Sequence, residues 1–312
     1  MEAAAVNPID VRRAEGYGLR LLSLLGAGRF PMVLGNDFAG TIAAAGSRVS
    51  ILRPGDRVYG LRPTSAHGSH ASYVVVKSAN VLPAPAGSDL QALAAMPYSF
   101  VTMRRAVRGA GLTRENAAGN ECWCMGVAGG LGRLALQMLS GWGAKITAIA
   151  RPATMAACLQ AGAAKVLDAS KQPFVSLDRT FDATLNFATW EDDLDLVHCL
   201  RKGALGHATT VHPMLGNFDR YGWTRDALRS FSEKKKHRAA LPKAREITHG
   251  FCSGQRRRRY RTWLDWSDSG ISAYPLPSAK HSRRPRRHSI TSRRVVLAER
   301  SSQHDSPAWH WD

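Results

Sequence analysis

Residues 126–132 read Gly-Val-Ala-Gly-Gly-Leu-Gly, a set of residue types suited to holding a pyrophosphate. Glycines lack Cβ, so the backbone can turn tightly and come close to phosphate oxygens. A helix starting at such a loop turns its free N–H groups and positive dipole end toward the same charge. Gly126, Ala128, Gly129, Gly130, Leu131 and Gly132 are therefore the candidate cofactor contacts. About 20 residues past the glycines, an NAD-preferring site places an Asp or Glu for the ribose hydroxyls. Here that place holds Ala150, Arg151 and Pro152. A guanidinium matches phosphate geometry, so Arg151 predicts NADPH rather than NADH. The alternative is a solvated arginine at a strand end.

Glycine clusters also occur in ordinary turns, so the elements around the loop decide its meaning. Leu131, Leu134, Ala135, Met138 and Leu139 recur at the spacing of one helical face. Gly141 and Gly143 supply a stop, and 144–150 reads as a buried strand. Loop, helix and strand then fit one βαβ unit. The segment before the loop, 120–125, suits a strand except at Glu121, which sits badly in a central parallel one. Further on, the pattern predicts a helix over 153–161, strands over 165–167 and 181–187, a helix over 192–200 and a strand over 204–210. Such alternation implies a parallel sheet. Asn186, Thr209 and Thr210 end two of those strands, on the side where open parallel sheets bind ligands. Asp182, Asp192, Asp193 and Asp195 read as solvated loop and helix start.

Residues 1–97 read as β-rich, with a turn entering a strand over 35–42, Pro-Gly turn chemistry followed by a strand over 53–60, a strand over 71–76 and a helix near 89–95. Beyond 244 no period of 2 or 3.6 is sustained. The 312-residue chain carries a net charge of +19, much of it in 256–259 and 282–288, and 245–312 is expected to be a disordered basic tail. Tyr260, Trp263 and Trp266 near the arginines support a competing class, a nucleic-acid binder. The segment holds no recognisable reading module, so such binding is expected to be non-specific if it occurs at all. The five cysteines form no CxxC pair or disulfide framework, which suits a reducing compartment. No signal peptide and no run long enough to span a bilayer is evident, so a cytoplasmic location is expected.

Several segments together resemble the medium-chain dehydrogenase/reductase superfamily, in particular its zinc-free quinone-oxidoreductase branch of the reticulon-interacting type. They are 5–11 with Gly16-Tyr17-Gly18, Phe30-Pro31 with 34–40, 54–58, Pro97-Tyr98 with Thr102, the glycine loop, and 161–163 before 166–168. The resemblance implies an α/β chain: a partial GroES-like β domain over 1–97 and a Rossmann doubly wound parallel sheet over 98–244. The remainder is the basic tail. It also implies that Asn7 and Tyr17 face the nicotinamide, that Thr102 bonds its ribose, and that a homodimer is possible. Tyr17 reads equally as a turn residue between two glycines, and Thr102 as a helix threonine bonding its own backbone.

Residues 1–97 contain no Cys, and Asn36-Asp37 stand where the zinc-dependent relatives carry His-Glu. A catalytic zinc needs three protein ligands. His67 and His70 read as a polar loop, so no metal is expected. What remains is hydride transfer from NADPH to a quinone or an activated C=C of an enone. Three departures from the family pattern stand out: an abrupt start, Arg104-Arg105 in place of apolar helix residues, and an unmatched 245–312. They predict an N-terminally incomplete first domain and a divergent or frame-shifted tail. An inactive remnant of such an enzyme is the alternative.

Overall fold

The structure, a computed structural model, describes residues 1–24, 30–62, 68–171, 179–240 and 294–298. The arginine runs, Tyr260, Trp263, Trp266, Cys252 and His67 lie outside them. The described residues divide into two compact units, 1–98 with the strand at 294–298, and 99–240.

The first unit opens with two helices that a β-rich reading overlooks, α1 (Pro8–Ala14) and α2 (Leu19–Leu24). The missed signal is local. Asn7 is an N-cap, Pro8 has the preset φ of a first helical position, and Asp10 completes a capping box. Strands β1 (Asp37–Ala45), β2 (Arg57–Leu61), β3 (Val74–Lys77) and β4 (Val81–Pro83) follow, then α3 (Leu90–Ala94). Alternation is visible in β3, where Val74 and Val76 are buried and Val75 and Lys77 exposed. Phe38, Ile42, Leu52 and Val58 join those valines in the core.

One strand of this sheet comes from the far end of the chain. Arg294–Ala298 (β10) lies antiparallel between β3 and β1, in the order β3-β10-β1-β2-β4. The expectation of a tail without regular structure is corrected at these five residues. A strand of five is too short to show a sustained period. Its Val-Val-Leu centre is nonetheless what a pleated position between two other strands favours.

The second unit begins in α4 (Pro97–Gly109) and continues through β5 (Glu121–Met125), α5 (Gly130–Gly141), β6 (Lys145–Ala150), α6 (Pro152–Gln160) and β7 (Lys165–Asp168). It ends with β8 (Ala183–Asn186), α7 (Asp193–His198), β9 (Gly206–Thr209) and α8 (Met214–Ala240), the last kinked at Gly222. The five strands are parallel in the order β7-β6-β5-β8-β9, the doubly wound 3-2-1-4-5 arrangement. Glu121 is tolerated because it is the first residue of β5 and stays exposed, while Cys122, Trp123 and Cys124 behind it are fully buried. Trp123 meets Phe181 edge to face at 5.2 Å. Arg104 is buried too, with its guanidinium 4.8 Å from the Trp142 ring centre. That stacking is how an apolar helix position accepts an arginine.

Candidate nucleotide and acceptor sites

The chain order reverses between β5 and β8, so the crevice at their carboxyl ends is the topological switch point of the sheet. The glycine loop lies there, and its glycines serve two different purposes. Gly126 has φ +79°, and a Cβ on it would stand 2.7 Å from the Phe187 carbonyl carbon. A Cβ on Gly132 would lie 2.4 Å from Gly126 O and Val127 Cα. Those two are required by the protein's own packing. Gly129 and Gly130 are not, because the nearest atoms to an added Cβ are 3.5 and 3.8 Å away. Ala128, Gly129 and Gly130 are exposed, and Leu131 is half-buried. Gly129 is the N-cap of α5, and no side chain caps the helix. The result is bare backbone at a helix N-terminus, with N–H groups open to an anion. These residues fit the diphosphate of a dinucleotide.

Arg151 follows β6 directly, exposed, as the N-cap of α6. A carboxylate that sequence spacing does not reveal stands one strand over, where Asp168 is in register with Ala150. It is engaged locally: Ser170 Oγ donates to it at 2.7 Å and Ser170 N at 2.9 Å, with Lys171 Nζ at 3.7 Å. The Ser170 bonds, then Lys171, hold it below the usual carboxylate range.

Asn186 and Thr209 are in register at the ends of β8 and β9. The Asn186 side chain is fully buried, and its amide is bound within the protein. It donates to Thr189 O at 2.6 Å and Asp193 Oδ1 at 2.7 Å, and accepts from Ala188 N at 3.0 Å. Thr209 is buried and accepts from Val211 N, and Thr210 donates to Asn186 O. Thr102 is buried in α4.

Beneath Asn186 is a polar network that was not legible in the sequence. Asp193 is fully buried, and His207 Nε2 and His237 Nε2 each stand 3.2 Å from its Oδ2. His207 Nδ1 pairs with Thr184 Oγ1 at 2.8 Å, and His237 stacks on Trp190. Burial pushes Asp193 up, but the bonds from His207, His237 and Asn186 outweigh it and hold the carboxyl well below the usual range. The expectation of a solvated acidic cluster is thus corrected at Asp193. It is corrected at Asp182 as well, which is buried, accepts from Glu121 N and pairs with Arg201.

In the first unit, Asn7 and Tyr17 are in different environments. Tyr17 lies half-exposed between Gly16 and Gly18, both at positive φ, with the Arg12 guanidinium 5.5 Å from its ring centre. Asn7 belongs to a buried cluster. Its N–H donates to Asp10 Oδ2 at 2.8 Å, and its Nδ2 donates to Asp37 Oδ2 at 2.8 Å. Asp10 Oδ1 accepts from Gly35 N at 3.1 Å, and Asp37 Oδ1 accepts from Tyr98 N at 2.5 Å. Asp37 is fully enclosed. Burial pushes its carboxyl up to about 7, against the Asn7 and Tyr98 bonds, which favour the ionised form. Asp37 was visible in the sequence only as a residue standing where relatives have a glutamate.

Comparison with known proteins agrees with this architecture. Residues 1–86 match the alcohol dehydrogenase GroES-like domain family. The mouse NAD(P)H oxidoreductase RTN4IP1, mitochondrial, is 29% identical over 235 residues, covering 71% of this chain and 59% of that protein. A tomato 2-methylene-furan-3-one reductase is 31% identical over 188 residues, covering 58% of this chain and 46% of that one. The quinone oxidoreductase structure from Coxiella burnetii superposes with a TM-score of 0.64 at 22% identity, over 86% of this chain and 78% of that one. The chain therefore spans well under two thirds of the length of these two sequence relatives. With a GroES-like match on the first unit and a parallel 3-2-1-4-5 sheet in the second, the chain is similar to the quinone-oxidoreductase-like proteins of the medium-chain dehydrogenase/reductase superfamily.

Proposed function

We propose that the protein is a zinc-independent oxidoreductase that passes a hydride from NADPH to a quinone or to the activated C=C of an enone. The observation that carries this reading is the bare helix N-terminus at Gly129 and Gly130, where the protein's own packing leaves room for side chains that are absent. Gly126 to Gly132 would hold the diphosphate through backbone N–H groups, and Arg151 would meet a 2′-phosphate. When bound, the cofactor supplies the hydride. The likeness to an NAD(P)H oxidoreductase and to a furanone reductase supports both halves of the reading.

The chain's own residues would bind, orient and donate. As hydride reaches the carbon β to a carbonyl, negative charge collects on the carbonyl oxygen, which then needs a hydrogen-bond donor. Asn7 and Tyr17 carry such donors, and water supplies the final proton. The absence of Cys from residues 1–97 and the commitment of Asp37 to Asn7 and Tyr98 support chemistry without zinc. The four buried free thiols among the described residues suit a reducing compartment, cytoplasmic in our reading. No helix among the described residues is long and apolar enough to cross a membrane.

Titration of the purified chain with NADPH and NADH, followed by fluorescence and thermal shift, tests the reading. Saturable, tighter NADPH binding is expected. R151A should lose at least tenfold in NADPH affinity, about 1.4 kcal/mol, with little change for NADH. No binding of either nucleotide would favour an inactive remnant.

A further inference from the structure

The side chain of Asn7 has no freedom to choose which way its amide faces. An ionised carboxylate can only accept, so the Asn7 group opposite Asp37 Oδ2 must be the NH2. Asp37 is itself held on its other oxygen by Tyr98 N, while Asn7 N is tied to Asp10. Both ends of the contact are thus anchored to backbone. We propose that Asp37 is the positioning residue for Asn7: its buried carboxylate receives one amide N–H and keeps the other turned to the carbonyl oxygen of the acceptor. This inference rests on the reading of Asn7 as a residue that touches the acceptor.

Protonation of Asp37 changes what it can do. Tyr98 N still requires an acceptor, so the new O–H must be donated from Oδ2, and its partner there is Asn7. An O–H facing an NH2 repels, and the amide turns over to present Oδ1. Asn7 then offers its other side to the acceptor. Four further groups bear on this switch. Asp10 on α1 opposes ionisation of Asp37 by like charge. Arg13 on the same helix is buried near Asp10. From the following loop, Ser69 Oγ donates to the Asp37 carbonyl and His70 pairs with Ala5 O, its ring exposed.

The side-chain amide signals of Asn7, in protein labelled with 15N-asparagine and identified by their loss in N7A, report the switch directly. They are expected to shift through one transition near pH 7 in the native chain and to stay fixed in D37N. Amide signals that ignore pH from 5 to 9 in the native chain overturn the proposal, whether or not the chain is active. The kinetic arm uses NADPH and an enone. Native kcat should rise through the same transition, and D37N should lose that limb and at least tenfold in kcat, with KM for NADPH unchanged. The D37N/N7A double variant should be no slower than N7A. Equal and independent losses from the two substitutions would show that Asp37 acts elsewhere. If D37N does not fold, the native amide transition alone decides. Absence of any enone reduction by the native chain, with the amide transition present, would sink the function reading and leave the positioning intact.

Discussion

Gly129 and Gly132 lie three residues apart in one loop and answer to different physical demands. A methyl on Gly132 would stand 2.4 Å from backbone atoms that have nowhere to go. G132A is therefore expected to cost more than about 2 kcal/mol of stability, as overpacking against backbone does. A methyl on Gly129 meets nothing closer than 3.5 Å. G129A should melt within about 0.5 kcal/mol of the native chain and yet bind NADPH roughly tenfold more weakly. Melting curves and nucleotide titration of the two variants separate packing from binding. The sequence showed all four glycines alike; only the tertiary structure distinguishes the two that serve the fold from the two that the protein's own packing leaves open. Arg151 was legible for the opposite reason. Its place depends on the length of one helix and one strand, and both follow from local spacing.

At the scale of elements, β6 and α5 lie close to where periodicity puts them, because buried residues recur within each. The network around Asp193 has no such signature. It joins α7, β9 and the far half of α8 through residues up to 44 positions apart in sequence, Asp193 to His237. Its pH behaviour follows from the two shifts. Asp193 is depressed, so its contribution is present above the unfolded value, near 3.9, and fades as pH falls through the folded value. His237 is raised: burial alone would lower it, but the bond to Asp193 and that to Glu233 O prevail. Its contribution is full below about 6.5 and fades as pH climbs through the folded value. H237Q should accordingly flatten the alkaline side of a plot of melting temperature against pH and, by removing one of the bonds that depress Asp193, make the acid side shallower as well. D193N should cost about 3 kcal/mol near pH 6, since it leaves the buried His237 imidazole without its counter-charge. A melting profile for H237Q parallel to the native one would show that this contact contributes nothing measurable.

At the scale of the whole molecule, two units draw on the chain in different ways. The second is continuous in sequence, whereas the first takes its β10 from residue 294 onward. A proline cannot donate to a ladder and is poorly borne between two strands. V296P should therefore speed hydrogen exchange at Thr41–Ala45 and Val74–Lys77, the β1 and β3 segments beside it, and leave β5 to β9 protected. Unchanged exchange in β1 and β3 would mean that β10 contributes little to the first sheet. Asp37 adds a whole-unit effect of opposite sign to Asp193. Its folded value lies above the unfolded one, so the first unit should lose stability as pH rises from about 4 to about 7. D37N should remove that slope, as melting between pH 4 and 8 would show.

The sequence by itself determined the parallel sheet, the glycine loop, the arginine at the strand end and the GroES-like character of the first unit. Each is written in spacings of a few residues, where backbone geometry imposes its own period. Tertiary structure alone decided that Asn7 meets Asp37, that a supposedly solvated Asp193 is buried between two histidines, and that residues 294–298 complete a sheet begun at residue 37. These are pairings across long stretches of chain, made where burial leaves a polar group or a strand edge in need of a partner. No local pattern records which distant residue will answer that need.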